Sequence, residues 1–169
     1  MIFAYLLSFV SGFLVKWVDW IDDDKGGRDK IKYLIAIFYG ILIGYLTSLT
    51  SFSELFLGTL LAQLFSRKVD TLSHMLGFFM VVVSLFYFGL PPQSLSFLFF
   101  FFVLAVLDEQ TAGWRFRNFE NYRLLLPIGA FITALLFQKW EYFLAILFFD
   151  IGYILFTKIQ KNMVEIWSK

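Results

Sequence analysis

The sequence has no cysteine, only three prolines and a single histidine, His74, among its 169 residues. The absence of cysteine excludes disulfides, thiol catalysis and metal sites built on cysteine ligands. Charge is also scarce, because Asp, Glu, Lys and Arg make up 16% of the chain, against about a quarter in soluble domains. The formal net charge is only +1, so the composition indicates no nucleic-acid partner.

Several widespread catalytic and nucleotide-binding motifs are missing as well. The chain contains no P-loop, no H-E-x-x-H zinc motif, no G-x-S-x-G nucleophile elbow and no G-x-G-x-x-G fingerprint. Any chemistry that the chain performs must therefore come from a different arrangement of side chains.

What the chain has in excess is apolar surface. Hydrophobic residues make up 60% of it, including 24 Phe. A soluble domain of this size cannot bury so much apolar surface in one core, so the excess must face lipid. Backbone polar groups inside a bilayer must be satisfied within the protein, which predicts helices. The candidate spans are seven apolar segments, at about 1–19, 31–50, 54–67, 74–90, 94–108, 123–138 and 141–158.

The placement of charge predicts how these spans are oriented. If the N-terminus lies outside, almost every Lys and Arg falls on one face, and only Lys139 falls on the other. Short loops rich in Lys and Arg stay in the cytoplasm. We therefore predict an all-α, polytopic transmembrane bundle of the plasma membrane, forming one domain over 1–169, with the N-terminus out and the C-terminus in. Its charged face, including a loop at 110–121 and a tail at 159–169, would be cytoplasmic.

A short internal repeat relates the end of the first span to the end of the third. Residues 16–19 read K-W-V-D and residues 67–70 read R-K-V-D, and an acid or a histidine follows four residues later, at Asp23 and His74. This pattern favours a duplicated helical hairpin, since membrane proteins often contain internal repeats. The match covers only four positions, so a chance similarity is the alternative.

The repeat contains the residue types of a divalent-metal site. Asp19 and Asp23 are four residues apart, as are Asp70 and His74, so each pair would share one helix face. Carboxylates suit Mg²⁺ or Mn²⁺, and one added imidazole admits Mn²⁺, Fe²⁺ or Zn²⁺. These four residues are thus the predicted metal ligands, with Mg²⁺ or Mn²⁺ as the cofactor. The alternative is that they are ordinary interfacial charges that pair with nearby Lys and Arg.

Basic residues near this cluster suit a phosphate ligand. Arg binds phosphate oxygens through two parallel hydrogen bonds, and a divalent metal bridges such oxygens. The candidate phosphate-binding residues are Arg67, Lys68, Arg115 and Arg117, and the candidate catalytic residues, as metal ligand or general base, are Asp108 and Glu109. The alternative is that the Lys and Arg only mark the cytoplasmic ends of the spans.

Two further features lie inside the predicted spans. Asp150 is in the seventh span, where an ionisable residue costs free energy and typically faces the bundle interior or a cavity. It could ligate an ion, relay a proton or accept a structural hydrogen bond. Gly40 and Gly44 form a G-x-x-x-G pattern in the second span, which predicts close helix packing.

Three functions are compatible with these patterns. The leading hypothesis is a metal-dependent membrane enzyme of lipid metabolism, a transferase or hydrolase that acts at the cytoplasmic interface on a phosphate- or diphosphate-bearing membrane lipid. The second is a cation or proton transporter or channel that carries a small ionic substrate past Asp150 and other intramembrane carboxylates. The third is a non-catalytic membrane subunit. The enzyme hypothesis requires the four predicted ligands to converge, and the transport hypothesis requires Asp150 to face a polar cavity.

Overall fold

The structure, a computed structural model, describes residues 1–23, 29–111 and 124–167. Helices account for all the regular secondary structure of these residues, and no strand is present among them. The helices are α1 (Ile2–Asp23), α2 (Ile31–Ser48), α3 (Ser53–Phe65), α4 (Leu72–Phe88), α5 (Leu95–Thr111), α6 (Leu125–Phe137) and α7 (Trp140–Trp167). Each one coincides with a predicted apolar segment to within a few residues at its start.

Three helices in the described part of the chain are long and apolar enough to cross a membrane. These segments are Ile2–Asp23, Ile31–Ser48 and Trp140–Asn162. Three shorter apolar helices are Ser53–Phe65, Leu72–Phe88 and Leu125–Phe137. The prediction of an all-helical chain with membrane-compatible helices is therefore confirmed.

Connections between the helices follow the turn signals of the sequence. The α2–α3 connection is the polar turn between Ser48 and Ser53, and the α4–α5 connection contains Pro91 and Pro92. Gly89 ends α4 with a φ of 83°, a left-handed conformation that favours glycine. The predicted loop at 110–121 lies mostly outside the described residues. Most of the predicted tail at 159–169 belongs to α7, which ends at Trp167, and its cytoplasmic location stays a prediction.

Closely packed helix pairs organise the bundle. The most extensive contacts join α1 with α7, α2 with α4, and α3 with α5. The pairs are linked by contacts of α1 with α2, of α6 with both α5 and α7, and by a smaller contact of α2 with α3. Helices from both ends of the chain thus surround a central space.

Small residues allow the helices to approach each other. A Cβ added at Gly12 would lie 2.0 Å from the carbonyl oxygen of Phe149, and one at Gly152 would lie 2.1 Å from that of Phe9. Ser8 Oγ also donates a hydrogen bond of 2.7 Å to the carbonyl oxygen of Ala145. The α1–α7 interface is thus a backbone-to-backbone contact, the type of packing that small residues permit between apolar helices.

The predicted close packing at the G-x-x-x-G pattern is confirmed. A Cβ at Gly40 would lie 2.3 Å from the carbonyl oxygen of Gly77, and one at Gly44 would lie 2.4 Å from Ser84 Cβ. The ring of Tyr39 fills the space beside Gly77 in the same way. The partner of α2 at this pattern is α4.

Candidate functional site

A cavity of about 440 Å³ lies within the bundle, in the size range of small-molecule sites. Residues from every described helix except α5 line it, together with the α3–α4 loop. Its polar lining consists of Lys16, Asp19, Asp23, Tyr39, Thr59, Gln63, Lys68, Asp70, Thr71, His74, Asp150 and Tyr153. The remaining lining is apolar: Val15, Ile43, Leu55, Phe56, Leu60, Val69, Phe78, Val81, Leu126, Pro127, Ile146 and Phe149.

All four predicted metal ligands lie on the wall of this one cavity. Their local geometry differs from the prediction, because Asp70 lies in the α3–α4 loop and not on a helix. Asp70 and His74 therefore do not share a helix face. The two copies of the proposed repeat also differ, because Asp19 lies on α1 and Asp70 lies in a loop. Within the described residues, no three carboxylate or imidazole side chains are already grouped as a metal site requires.

Asp19 is the centre of a hydrogen-bonded cluster at the charged end of the cavity. Its Oδ1 lies 3.3 Å from His74 Nε2, and its Oδ2 accepts a hydrogen bond of 3.1 Å from the Tyr153 hydroxyl. Lys16 Nζ lies 4.0 Å from the same Oδ2. On the other side of the imidazole, His74 Nδ1 is 3.2 Å from the Tyr39 hydroxyl. The cluster thus connects α1, α2, α4 and α7 across the cavity.

The neighbouring Asp22 opens an acidic run in the sequence that suggests a phosphate- or metal-binding turn or a solvated loop, and in the structure it has a structural role. Its carboxylate pairs with Lys32 Nζ and accepts hydrogen bonds from the hydroxyls of Ser73 and Thr71, the latter at 2.9 Å. Thr71 in turn accepts a hydrogen bond from the backbone N–H of His74 and caps α4. Asp22 therefore fixes the ends of α1, α2 and α4. The signal that could have found this contact is Lys32, a charged residue at the start of an apolar helix that needs a carboxylate partner.

The two predicted catalytic acids lie away from the cavity wall. Asp108 accepts hydrogen bonds from the backbone N–H groups of Leu125 and Leu126, at 2.9 and 2.7 Å, and so caps the start of α6. Glu109 accepts a hydrogen bond of 2.7 Å from Gln63, and its other oxygen lies 3.8 Å from Lys68 Nζ. These contacts hold helices together, and the predicted catalytic role of both acids stays a prediction.

The predicted phosphate-binding residues separate into three groups. Lys68 lies on the cavity wall, and about half of its side chain is exposed. Arg67 is exposed at the end of α3, with a φ of 55°, and does not line the cavity. Arg115 and Arg117 lie outside the described residues.

Asp150 also lines the cavity, one helical turn before Tyr153 on α7. The wall thus carries four carboxylates, of Asp19, Asp23, Asp70 and Asp150, and two ammonium groups, of Lys16 and Lys68. With His74 neutral, the formal excess is two negative charges. Such a wall attracts cations and repels an unaccompanied phosphate.

A second polar cluster lies at the other end of the bundle and has no part in the cavity wall. The buried Glu54 accepts hydrogen bonds from the Tyr142 hydroxyl at 3.0 Å and from the backbone N–H of Ser94 at 3.1 Å. Lys139 Nζ donates to the Tyr142 hydroxyl at 3.3 Å. This cluster joins α3 and α7 to the start of α5.

Comparisons of the chain with protein-family models, with curated proteins and with solved structures give no match. The function is therefore argued from the cavity and its residues, because a fold alone does not determine a function.

Proposed function

We propose that this chain is an integral membrane enzyme that binds a phosphate-bearing lipid in the cavity and acts on its head group with a divalent cation. The observation that carries the proposal is the composition of the cavity wall. Carboxylates, lysines and a histidine form one part of it, and apolar side chains such as Phe78 and Val81 form the other. A molecule that matches both parts has a charged head and an apolar tail.

In this proposal the chain crosses the plasma membrane about seven times, and the charged face of the bundle lies on the cytoplasmic side. The three long apolar helices support it, as do lipid-compatible side chains such as Phe79 and Phe86, which are 59% and 88% exposed. The 13-residue helices α3 and α6 rise only about 20 Å at 1.5 Å per residue. They would cross where the bilayer is locally thinned, which costs a modest free energy.

A cation explains how an acidic wall receives a phosphate. Mg²⁺ is usually held by one or two protein carboxylates together with substrate phosphate oxygens, so a complete protein cage is not required. Asp19, Asp23 and Asp70 are the candidate ligands, and His74 is the candidate for orienting Asp19. The bound cation would neutralise phosphate charge, and Lys16 and Lys68 would add to that effect.

The test uses purified protein in lipid nanodiscs and a phosphatidic acid that carries a photoreactive diazirine in one acyl chain. We expect the wall residues Phe78 and Val81 to be labelled, and labelling to increase when Mg²⁺ or Mn²⁺ is added. Asp70→Asn should remove the increase, whereas Asp29→Asn, at an exposed carboxylate off the wall, should preserve it. Release of inorganic phosphate from the same lipid, or its transfer, is measured in parallel.

Two results would oppose this function. Labelling confined to the outer surface of the bundle would show that the cavity takes no lipid. The metal-dependent chemistry would be rejected if labelling responded to no divalent cation and neither phosphatidic acid nor a polyprenyl phosphate were turned over.

The second candidate function is proton or cation transport, and the position of Asp150 favours it. Asp150 faces the same cavity as Asp19 and His74, as a transport pathway would require. The apolar residues of the wall weigh against a continuous polar path to the Glu54 end. Protein in liposomes with a trapped pH-sensitive dye tests this, since a proton flux that Asp150→Asn abolishes would favour transport over the enzyme.

A further inference from the structure

The cavity wall is not equally closed on all sides. Around it, α1 packs on α2 and α7, and α6 packs on α7. Both α3 and α4 contribute wall residues, yet these two helices do not pack along one another. A third wall helix, α2, packs extensively on α4 but much less on α3. The boundary between α3 and α4, here called the seam, is therefore the part of the wall where neighbouring helices pack least closely.

Helical geometry identifies the residues that border the seam. Successive residues of an α-helix are rotated by about 100°. On α4, His74 and Phe78 face the cavity and Gly77 faces α2. Met75 therefore lies beside the cavity-facing residues, on the side of α4 that is opposite α2. Met75 is 51% exposed, as expected for a side chain at an open edge.

The opposite edge of the seam belongs to α3. There Thr59 and Gln63 face the cavity and Gly58 faces α5, so Leu60 and Leu64 fall on the edge away from α5. Leu60 still lines the cavity, whereas Leu64 does not and is 43% exposed. Both edges of the seam are thus apolar and lead from the cavity directly to the outer surface of the bundle.

We infer that the α3–α4 seam is a lateral portal through which a lipid passes between the bilayer and the cavity. The inference rests on the proposed function, because it takes a lipid as the ligand. The head group lies against the acids and lysines at the charged end, and the chain extends between Leu60 and Phe78 into the bilayer. A lipid that remains partly in the bilayer also fits a cavity of about 440 Å³ without having to be enclosed by it.

The experiment closes the seam with a covalent bridge. Because the chain has no cysteine, Leu64→Cys with Met75→Cys creates a unique thiol pair on the two edges, and neither residue lines the cavity. A flexible bismaleimide that contains a disulfide joins the pair, and dithiothreitol then cuts the bridge. Ile41→Cys with Met80→Cys is the matched control, since both residues lie beside Gly40 at the contact of α2 with α4, and neither lines the cavity.

The readout is labelling of the cavity wall by the diazirine phosphatidic acid in nanodiscs. We expect bridging of the seam to reduce labelling of Phe78 and Val81 at least fivefold, cutting of the bridge to restore it, and the control bridge to leave it unchanged. Unchanged labelling in the bridged protein would overturn the portal while the proposed function stands. The portal would also be overturned if no bismaleimide, whatever its length, joined the two cysteines. Absence of wall labelling in the unbridged protein would instead reject the proposed function.

Discussion

The two ends of the bundle both contain carboxylates, but they use them differently. At one end Glu54 is buried, and both of its oxygens are engaged, one by the Tyr142 hydroxyl and one by the Ser94 backbone. At the charged end Asp19, Asp23 and other carboxylates face a cavity. A buried, fully bonded carboxylate stabilises a fold, whereas one that faces open space can bind a ligand.

The same contrast occurs between adjacent residues at the charged end. Asp22 is bound by Lys32, Ser73 and Thr71, and it does not line the cavity. Asp23, the next residue, is exposed and lies on the cavity wall. The distinction that matters for function is therefore between carboxylates that hold helices and carboxylates that face the cavity, and not between the two ends.

The largest loss of stability is expected for Asp22→Ala. The change leaves the Lys32 ammonium group buried without its partner, and breaking a buried ion pair typically costs about 3–5 kcal/mol. Thermal unfolding in detergent measures the effect, with Asp29→Ala, at an exposed site, as the control. The double variant Asp22→Leu with Lys32→Met should recover most of the loss. A Tm equal to that of the unmodified protein would show that the pair is not buried as described.

A smaller but clear loss is expected for Glu54→Ala at the opposite end. The Ser94 N–H loses its acceptor, and an unsatisfied buried group costs about 1–3 kcal/mol, whereas the Tyr142 hydroxyl keeps its hydrogen bond from Lys139. Tyr142→Phe should cost less, because it leaves the second hydrogen bond of Glu54 in place. Lipid labelling of the cavity, measured on the folded fraction, should not change. Loss of labelling without loss of stability would make this end part of the functional site.

Asp108→Ala tests a carboxylate that sequence reasoning placed among the catalytic residues. Removal of a helix cap costs about 1 kcal/mol, so unfolding in detergent should shift modestly. Any activity of the folded protein should remain. A loss of lipid turnover with an unchanged Tm would contradict the structural role and support catalysis.

The smallest effect on stability is expected for Asp23→Ala, beside the residue with the largest. An exposed substitution changes the free energy of unfolding by less than about 0.5 kcal/mol. Labelling that depends on Mg²⁺ should nevertheless fall severalfold, because a wall carboxylate is lost. Equal losses of stability for Asp22→Ala and Asp23→Ala would contradict the assignment of a structural role to Asp22 and a cavity-facing role to Asp23.

The positions of the helices, and the presence of Asp19 and Asp70 at the same end of the bundle, were predictable from local patterns. Apolar segments between Gly, Pro and Ser turns predict helix positions, since a buried or lipid-facing helix must be apolar over its length. Alternating topology then places the ends of the first and third segments on one side. That is why Asp19 and Asp70 were expected together, although Asp70 turned out to precede the first turn of α4.

The long-range partners were not predictable in this way. Glu54 and Tyr142 are separated by 88 residues, and no local pattern relates them. Asp108 caps a helix whose residue Leu125 lies 17 positions later in the chain, and no local pattern relates the two. Because its neighbour Glu109 is also acidic, the pair resembled a catalytic site. The α1–α7 interface did leave a signal, because Ser8 and Gly12 are spaced like the two glycines of G-x-x-x-G.

The interface between α1 and α7 also constrains how the protein is made. Ser8 and Ala145 are 137 residues apart, so the ribosome releases α1 long before its partner exists. During that interval the surface around Gly12 and the charged residues Lys16 and Asp19 have no partner helix α7 to cover them. The face of α1 that carries Ser8 and Gly12 must therefore stay accessible until α7 is made, and the cavity acquires its final wall only when α7 packs against it.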